Sequence, residues 1–190
     1  MKYNSDIFVT QFPIAKRFLY HLIYYRELHK AYQSSGLKSE FWAHTIDAHL
    51  LQAAMHWCMI FGSDGCQPTH WKKLSIDETA SLEDSFRQGL FKKTTLTPER
   101  WRTFWRSMND FRNQYAAHRE IEFNNPVPDF SIALEVVFYY DEWIRDVILP
   151  DFMEEPPLKD CRDKLVNEFK CLSRCLVEET GTFNDSIKTI

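Results

Sequence analysis

The 190-residue chain is 44% apolar, 15% aromatic and 26% charged, which excludes a disordered profile and supplies enough apolar side chains for a core. Five glycines are too few for an all-β architecture rich in tight turns. Lys+Arg 23 against Asp+Glu 27 gives net −4, so no global basic field attracts nucleic acid, and a polyanion would need a local patch.

The five cysteines, Cys58, Cys66, Cys161, Cys171 and Cys175, are odd in number and lack disulfide-module spacing, which suits free thiols in a reducing compartment. The start, Met1-Lys2-Tyr3-Asn4-Ser5-Asp6, carries no signal-peptide pattern, and no run approaches ~20 apolar residues. A cytoplasmic chain with no membrane partner is expected.

Helical periodicity dominates. A first helix is expected from about residue 13 to 34, opening at Pro13, with Phe18, Leu22, Tyr25 and Leu28 on one face. Ser39 is the expected N-cap of a second, with Trp42, Ile46, Leu50, Ala53, Trp57 and Ile60 at helical spacing. Phe61-Gly62-Ser63-Asp64-Gly65 ends it by turn chemistry, and a loop over residues 62–79 holds Pro68, His70 and Trp71. A third helix spans about residues 81–93. Thr97-Pro98-Glu99 starts a fourth: a capping hydroxyl, a proline at the first helical position and an acid at the positive dipole end.

The fourth helix is expected to reach about Arg119, broken by Asn124-Asn125-Pro126-Val127-Pro128. Asp129 caps a fifth with Ala133, Val136, Val137, Tyr140, Trp143, Ile144 and Val147 on its apolar face, and Pro150 ends it. A last amphipathic helix is expected over residues 158–179, with a frayed tail after Gly181. Without repeats or long linkers, residues 1–190 form one domain, an all-α bundle of five to six helices.

The fourth helix carries the chemistry. At about 100° per residue, Trp101, Phe104, Trp105, Met108, Phe111 and Tyr115 share a stripe about 120° wide that must be buried. Arg112 and Arg119 project into that stripe, where an unpaired charge is costly. Either an acid such as Glu135 or Asp141 pairs with Arg112, or the stripe opens there into a polar cleft. His118 lies about 120° around from Arg112 and about 9 Å along the axis. The two side chains therefore converge only through the arginine's reach, a loosened last turn or contributions from two chains. Residues 97–120 carry five arginines and three acids, net +2, against −6 for the remainder.

Arg112-Asn113-Gln114-Tyr115-Ala116-Ala117-His118 resembles the signature of HEPN domains: an arginine, a polar residue, a short spacer and a histidine near a helix end. The Ala117-His118-Arg119 ending, and Trp57-Cys58 with Phe61-Gly62 ahead of His70-Trp71, resemble the abortive-infection (AbiU-type) branch. The resemblance spans about residues 12–150 and implies a HEPN-like up-and-down helical bundle. It also implies a metal-independent endoribonuclease without cofactor, of toxin or phage-defence type, acting on RNA as a homodimer. A cognate antitoxin or other neutralising partner is implied too.

In that scheme His118 removes the 2′-OH proton or protonates the leaving 5′-oxygen, and Arg112 stabilises charge on the five-coordinate phosphorus, leaving a 2′,3′-cyclic phosphate. Asn113 orients one of these groups, and Tyr115 and Arg119 are candidate substrate contacts, although Arg119 could instead satisfy last-turn carbonyls. The alternative is a catalytically inactive HEPN-like dimerisation or interaction module. His49 and His56, seven residues apart, with Cys58, Cys66 and His70, invite a zinc reading, but no metal-ligand spacing supports it.

Overall fold

The computed structural model describes residues 3–65, 67–74, 80–117, 125–148 and 155–187, and the described residues form six helices and no strand. They are α1 (Ser5–Ser35), α2 (Glu40–Phe61), α3 (Ala80–Lys93), α4 (Pro98–Asp110), α5 (Phe130–Val147) and α6 (Leu158–Ile187). A 3₁₀ turn spans Trp71–Leu74, and a π-helical turn, Phe111–Ala117, continues α4. The chain is an all-α bundle, and none of its described helices is long and apolar enough to cross a membrane.

Side-chain caps set most of the starts. Ser39 accepts from the Trp42 N–H, Thr97 from the Arg100 N–H and Asp129 from the Ser131 N–H, as the sequence pattern predicts. The first helix begins earlier than expected. Asn4 Oδ1 accepts from the Asp6 and Ile7 N–H groups, so the helix starts at Ser5 and Pro13 lies inside it. Pro13 has no N–H for the carbonyl of Val9, but Val9 is 65% exposed and water can serve that oxygen. Burial of Gln11 and Phe12 holds the preceding turn in place. At the other end Gly36 takes φ 68, the left-handed conformation in which a side chain would be strained.

α1 and α2 run antiparallel. The Tyr32 hydroxyl ties the connection by accepting from Ser39 N–H (2.9 Å) and donating to Ser39 C=O (3.3 Å). α6 lies along α1, with Tyr24 against Phe169 at 4.5 Å between ring centroids. It does not fray at Gly181 but stays helical to Ile187. One apolar core draws on α1 to α5 and the first turn of α6. At its centre Phe86 stacks on Trp71 (4.2 Å) and meets Trp143 edge-on (5.0 Å), while Tyr140 meets Phe61 edge-on (5.6 Å). All seven apolar positions expected on the fifth helix are buried. Cys66, Asn124 and Pro150 lie outside the described residues.

Candidate active site

α4 crosses the C-terminal half of α2, and the contacts follow from its aromatic stripe. Phe104, Met108 and Phe111 are buried; Trp101, Trp105 and Tyr115 are half-buried against the same core. A helix end leaves carbonyls without partners. At the end of α2 they are taken by the Trp105 indole N–H, which donates to Phe61 C=O (2.8 Å) and Gly62 C=O (3.3 Å), and by His70 Nε2, which donates to Gly62 C=O (3.1 Å). One turn on, Asn109 is buried, donating to Trp105 C=O (2.8 Å) and accepting from the Ser63 hydroxyl (3.2 Å).

After Asp110 the backbone widens into the π turn, so residues five apart, rather than four, stack along the axis. The last turn of the fourth helix is therefore not α-helical as expected. The turn carries Arg112, Asn113 and Tyr115 and stops at Ala117. Arg112 is half-buried, its guanidinium against the thiol of Cys58. Burial pushes the Cys58 pKa up to about 12, against a downward pull from Arg112, so at neutral pH it is a neutral thiol. It donates weakly to Met108 C=O at 3.7 Å.

Neither acid expected to pair with Arg112 does so. Glu135 accepts from the Thr95 N–H (3.1 Å), and Asp141 is bound by Arg145 Nε (2.9 Å) and Leu158 N–H (2.7 Å). Arg112 forms no ion pair with any described residue, and its Nε–H is buried without an acceptor. The indole N–H groups of Trp42 and Trp57 share that condition, but neither carries a charge. Asn113 is exposed, and Tyr115 stacks on Phe111 at 5.1 Å. His118 and Arg119 lie outside the described residues.

The histidines and cysteines of the zinc reading do not converge. Cys58 faces α4, and His70 is spent on the α2 terminus, with Nδ1 accepting from the Lys72 N–H (3.3 Å). Burial lowers the His70 pKa to about 4, so it is neutral at pH 7 and anchors its loop together with Trp71. His49 and His56 meet His21 instead, a partner that no local spacing announces. His21 Nδ1 and His49 Nδ1 are 2.9 Å apart, and His56 lies parallel to His21 at 5.3 Å while its Nδ1 donates to Gln52 C=O. Among the described residues no group of three His, Cys, Asp or Glu side chains is arranged to hold a metal ion.

The surface beside this site is a groove of about 380 Å³, bounded by the α2 terminus, the His70–Trp71 loop, α3 and α4. Basic side chains (Lys72, Arg87, Arg102) and aromatic ones (Phe61, Trp71, Trp101, Trp105) line it together with Asp64, a combination that only the packing of four separate segments creates. Comparison with protein-family models, curated proteins and solved structures returns no match for this chain.

Proposed function

We propose that the chain is a metal-independent endoribonuclease of the HEPN type, acting as a homodimer in toxin or phage-defence fashion under the control of a neutralising partner. The observation that carries this reading is Arg112: a half-buried guanidinium with no carboxylate among the described residues and an Nε–H without acceptor. A buried unmatched donor on a permanent cation is the group a phosphate oxygen would satisfy. It sits on a π turn, the kind of local widening that recurs at functional sites, within the Arg112-to-His118 motif.

The chemistry needs one bond made and one broken. The ribose 2′-oxygen attacks phosphorus as an imidazole, assigned to His118, takes its proton. The bond from phosphorus to the 5′-oxygen breaks, that oxygen takes a proton from water, and the imidazolium returns its proton to the solvent. Arg112 stabilises the extra negative charge of the five-coordinate transition state. The products are a 2′,3′-cyclic phosphate and a 5′-hydroxyl, and DNA, lacking the nucleophile, stays intact.

The test is incubation of purified protein with mixed RNA in EDTA, with analysis of the product ends. Cutting that survives the chelator and leaves cyclic phosphates is expected. Arg112→Ala should lower the rate by about a hundred- to a thousandfold, as expected for loss of a transition-state charge partner, and His118→Ala should abolish it. RNA left intact by folded protein across pH and salt would leave only the inactive helical interaction module.

A further inference from the structure

The groove at the α2 terminus has the features of a binding track for an unpaired nucleic acid strand. Its two lobes, of about 380 and 310 Å³, share Trp71, Arg87, Trp101 and Arg102, so they adjoin across these side chains. Each is in the range of small-ligand sites, roughly 300–1,000 Å³. Trp101 provides the apolar wall. Its inner side packs on Trp57 (6.1 Å between centroids) and Phe104 (6.4 Å), leaving the indole partly exposed.

Cations stand on the rims. Arg102 is exposed and makes no hydrogen bond or ion pair with any described residue. Across from it, Arg87 bonds Glu83 (3.0 Å) with its guanidinium 6.0 Å from the Trp71 ring centre, and Lys72 pairs with Asp64 (2.5 Å). An aromatic face flanked by cations, of which Arg102 is unpaired among the described residues, is the combination that stacks bases and follows a phosphate backbone without reading sequence.

Arg112 follows the groove's α4 residues along the same helix. At 100° per residue Arg102, Trp105 and the buried Asn109 lie within about 60° of one another, one face of α4 that leads to the π turn carrying Arg112. Ten residues at 1.5 Å each separate Arg102 from Arg112 by about 15 Å, the length of roughly four stacked nucleotides at 3.4 Å. We infer that single-stranded RNA binds along this groove, its bases against Trp101 and its backbone against Arg102, Arg87 and Lys72, so that a phosphate is delivered to Arg112. This rests on the ribonuclease reading for its choice of RNA.

Binding and cutting are tested apart. Binding of a short unstructured fluorescent oligoribonucleotide is followed by anisotropy in the Arg112→Ala background, and cutting is followed on gels with the native Arg112. Arg102→Glu, an exposed change that spares the core, should weaken binding at least tenfold and reduce the salt slope by about one. Trp101→Ala should weaken it roughly tenfold and Trp101→Phe much less. Lys38→Glu, the same charge change on an exposed residue remote from the groove, should leave affinity unchanged.

If Arg102→Glu and Trp101→Ala bind like the parent, the groove is wrong even where the native protein still cuts RNA. Equally tight binding of double-stranded RNA, whose base faces are covered, also overturns it. If Arg102→Glu loses affinity but the native protein cuts nothing, the groove stands and the ribonuclease reading falls.

Discussion

Gly62 occupies a point where three backbones or side chains nearly touch, and no φ argument explains it. Its φ of −72° is open to any residue, but a Cβ there would lie 2.5 Å from the Cys58 carbonyl oxygen and 3.2 Å from Asn109 Oδ1. The same Cys58 carbonyl accepts the Gly62 N–H at 3.0 Å, closing the last turn of α2. Relief of the clash therefore means opening that turn or displacing Asn109, the residue that fixes α4 one turn before Arg112. Gly62→Ala should cost about 2 kcal/mol, an overpacking penalty, and lower the Tm by roughly 4–8 °C at this chain length. Thermal melts of the purified variant check this; an unchanged melting temperature would show that the contact relaxes freely.

At the scale of elements, the docking of α6 depends on one carboxylate of α5. Asp141 is 3% exposed and accepts from the Leu158 N–H, capping α6 from outside it, and from Arg145 Nε. Arg145 in turn donates to the carbonyls of Glu155 (2.8 Å) and Pro156 (2.9 Å), gripping the segment that leads into α6. Asp141→Ala strips the cap and leaves a half-buried guanidinium without its charge, at an expected cost of about 3 kcal/mol. Amide exchange should rise across the first turns of α6 before it rises in α5. Asp141→Asn, which keeps an acceptor, should retain part of the protection. The caps at Ser39, Thr97 and Asp129 were legible in the sequence because capping is local chemistry. The early start at Asn4 was not, because Pro13 fits a first helical position equally well and only the burial of Gln11 and Phe12 decides against it. Helix beyond Gly181 was hidden for the same reason, since a lone glycine is a weak stop. At the candidate site, the half-burial of Arg112 followed from its place in the aromatic stripe. The π turn, the Cys58 neighbour and the groove did not, since each arises where distant segments pack.

For the whole molecule, four histidines link stability to pH. His70 joins its loop to α2, and its backbone carbonyl accepts from Gln11 of α1, whose Oε1 accepts from Tyr140 of α5. His21, His49 and His56 bridge α1 and α2. Burial lowers all four, His70 and His21 to about 4, with His21 depressed further by the positive character of His49, His56 and Arg17. The unfolded chain takes up these protons near pH 6.5, before the folded chain does. The stabilisation is thus complete above about pH 6.5 and is lost as pH falls towards 4. Nearly all of His70 is out of solvent, and its share of the loss between pH 7 and pH 5 is about 2 kcal/mol. The half-exposed His21 and His49 add less because water screens them. Asp141, raised by burial, acts oppositely. Urea unfolding at pH 7 and pH 5 should therefore show a clear loss of stability in acid. His70→Gln should be less stable at pH 7 yet lose about 2 kcal/mol less on acidification. Equal stability of the native chain at both pH values would mean that these imidazoles are solvated in the folded state, and the His70 bridge between the loop and α2 would then not be closed.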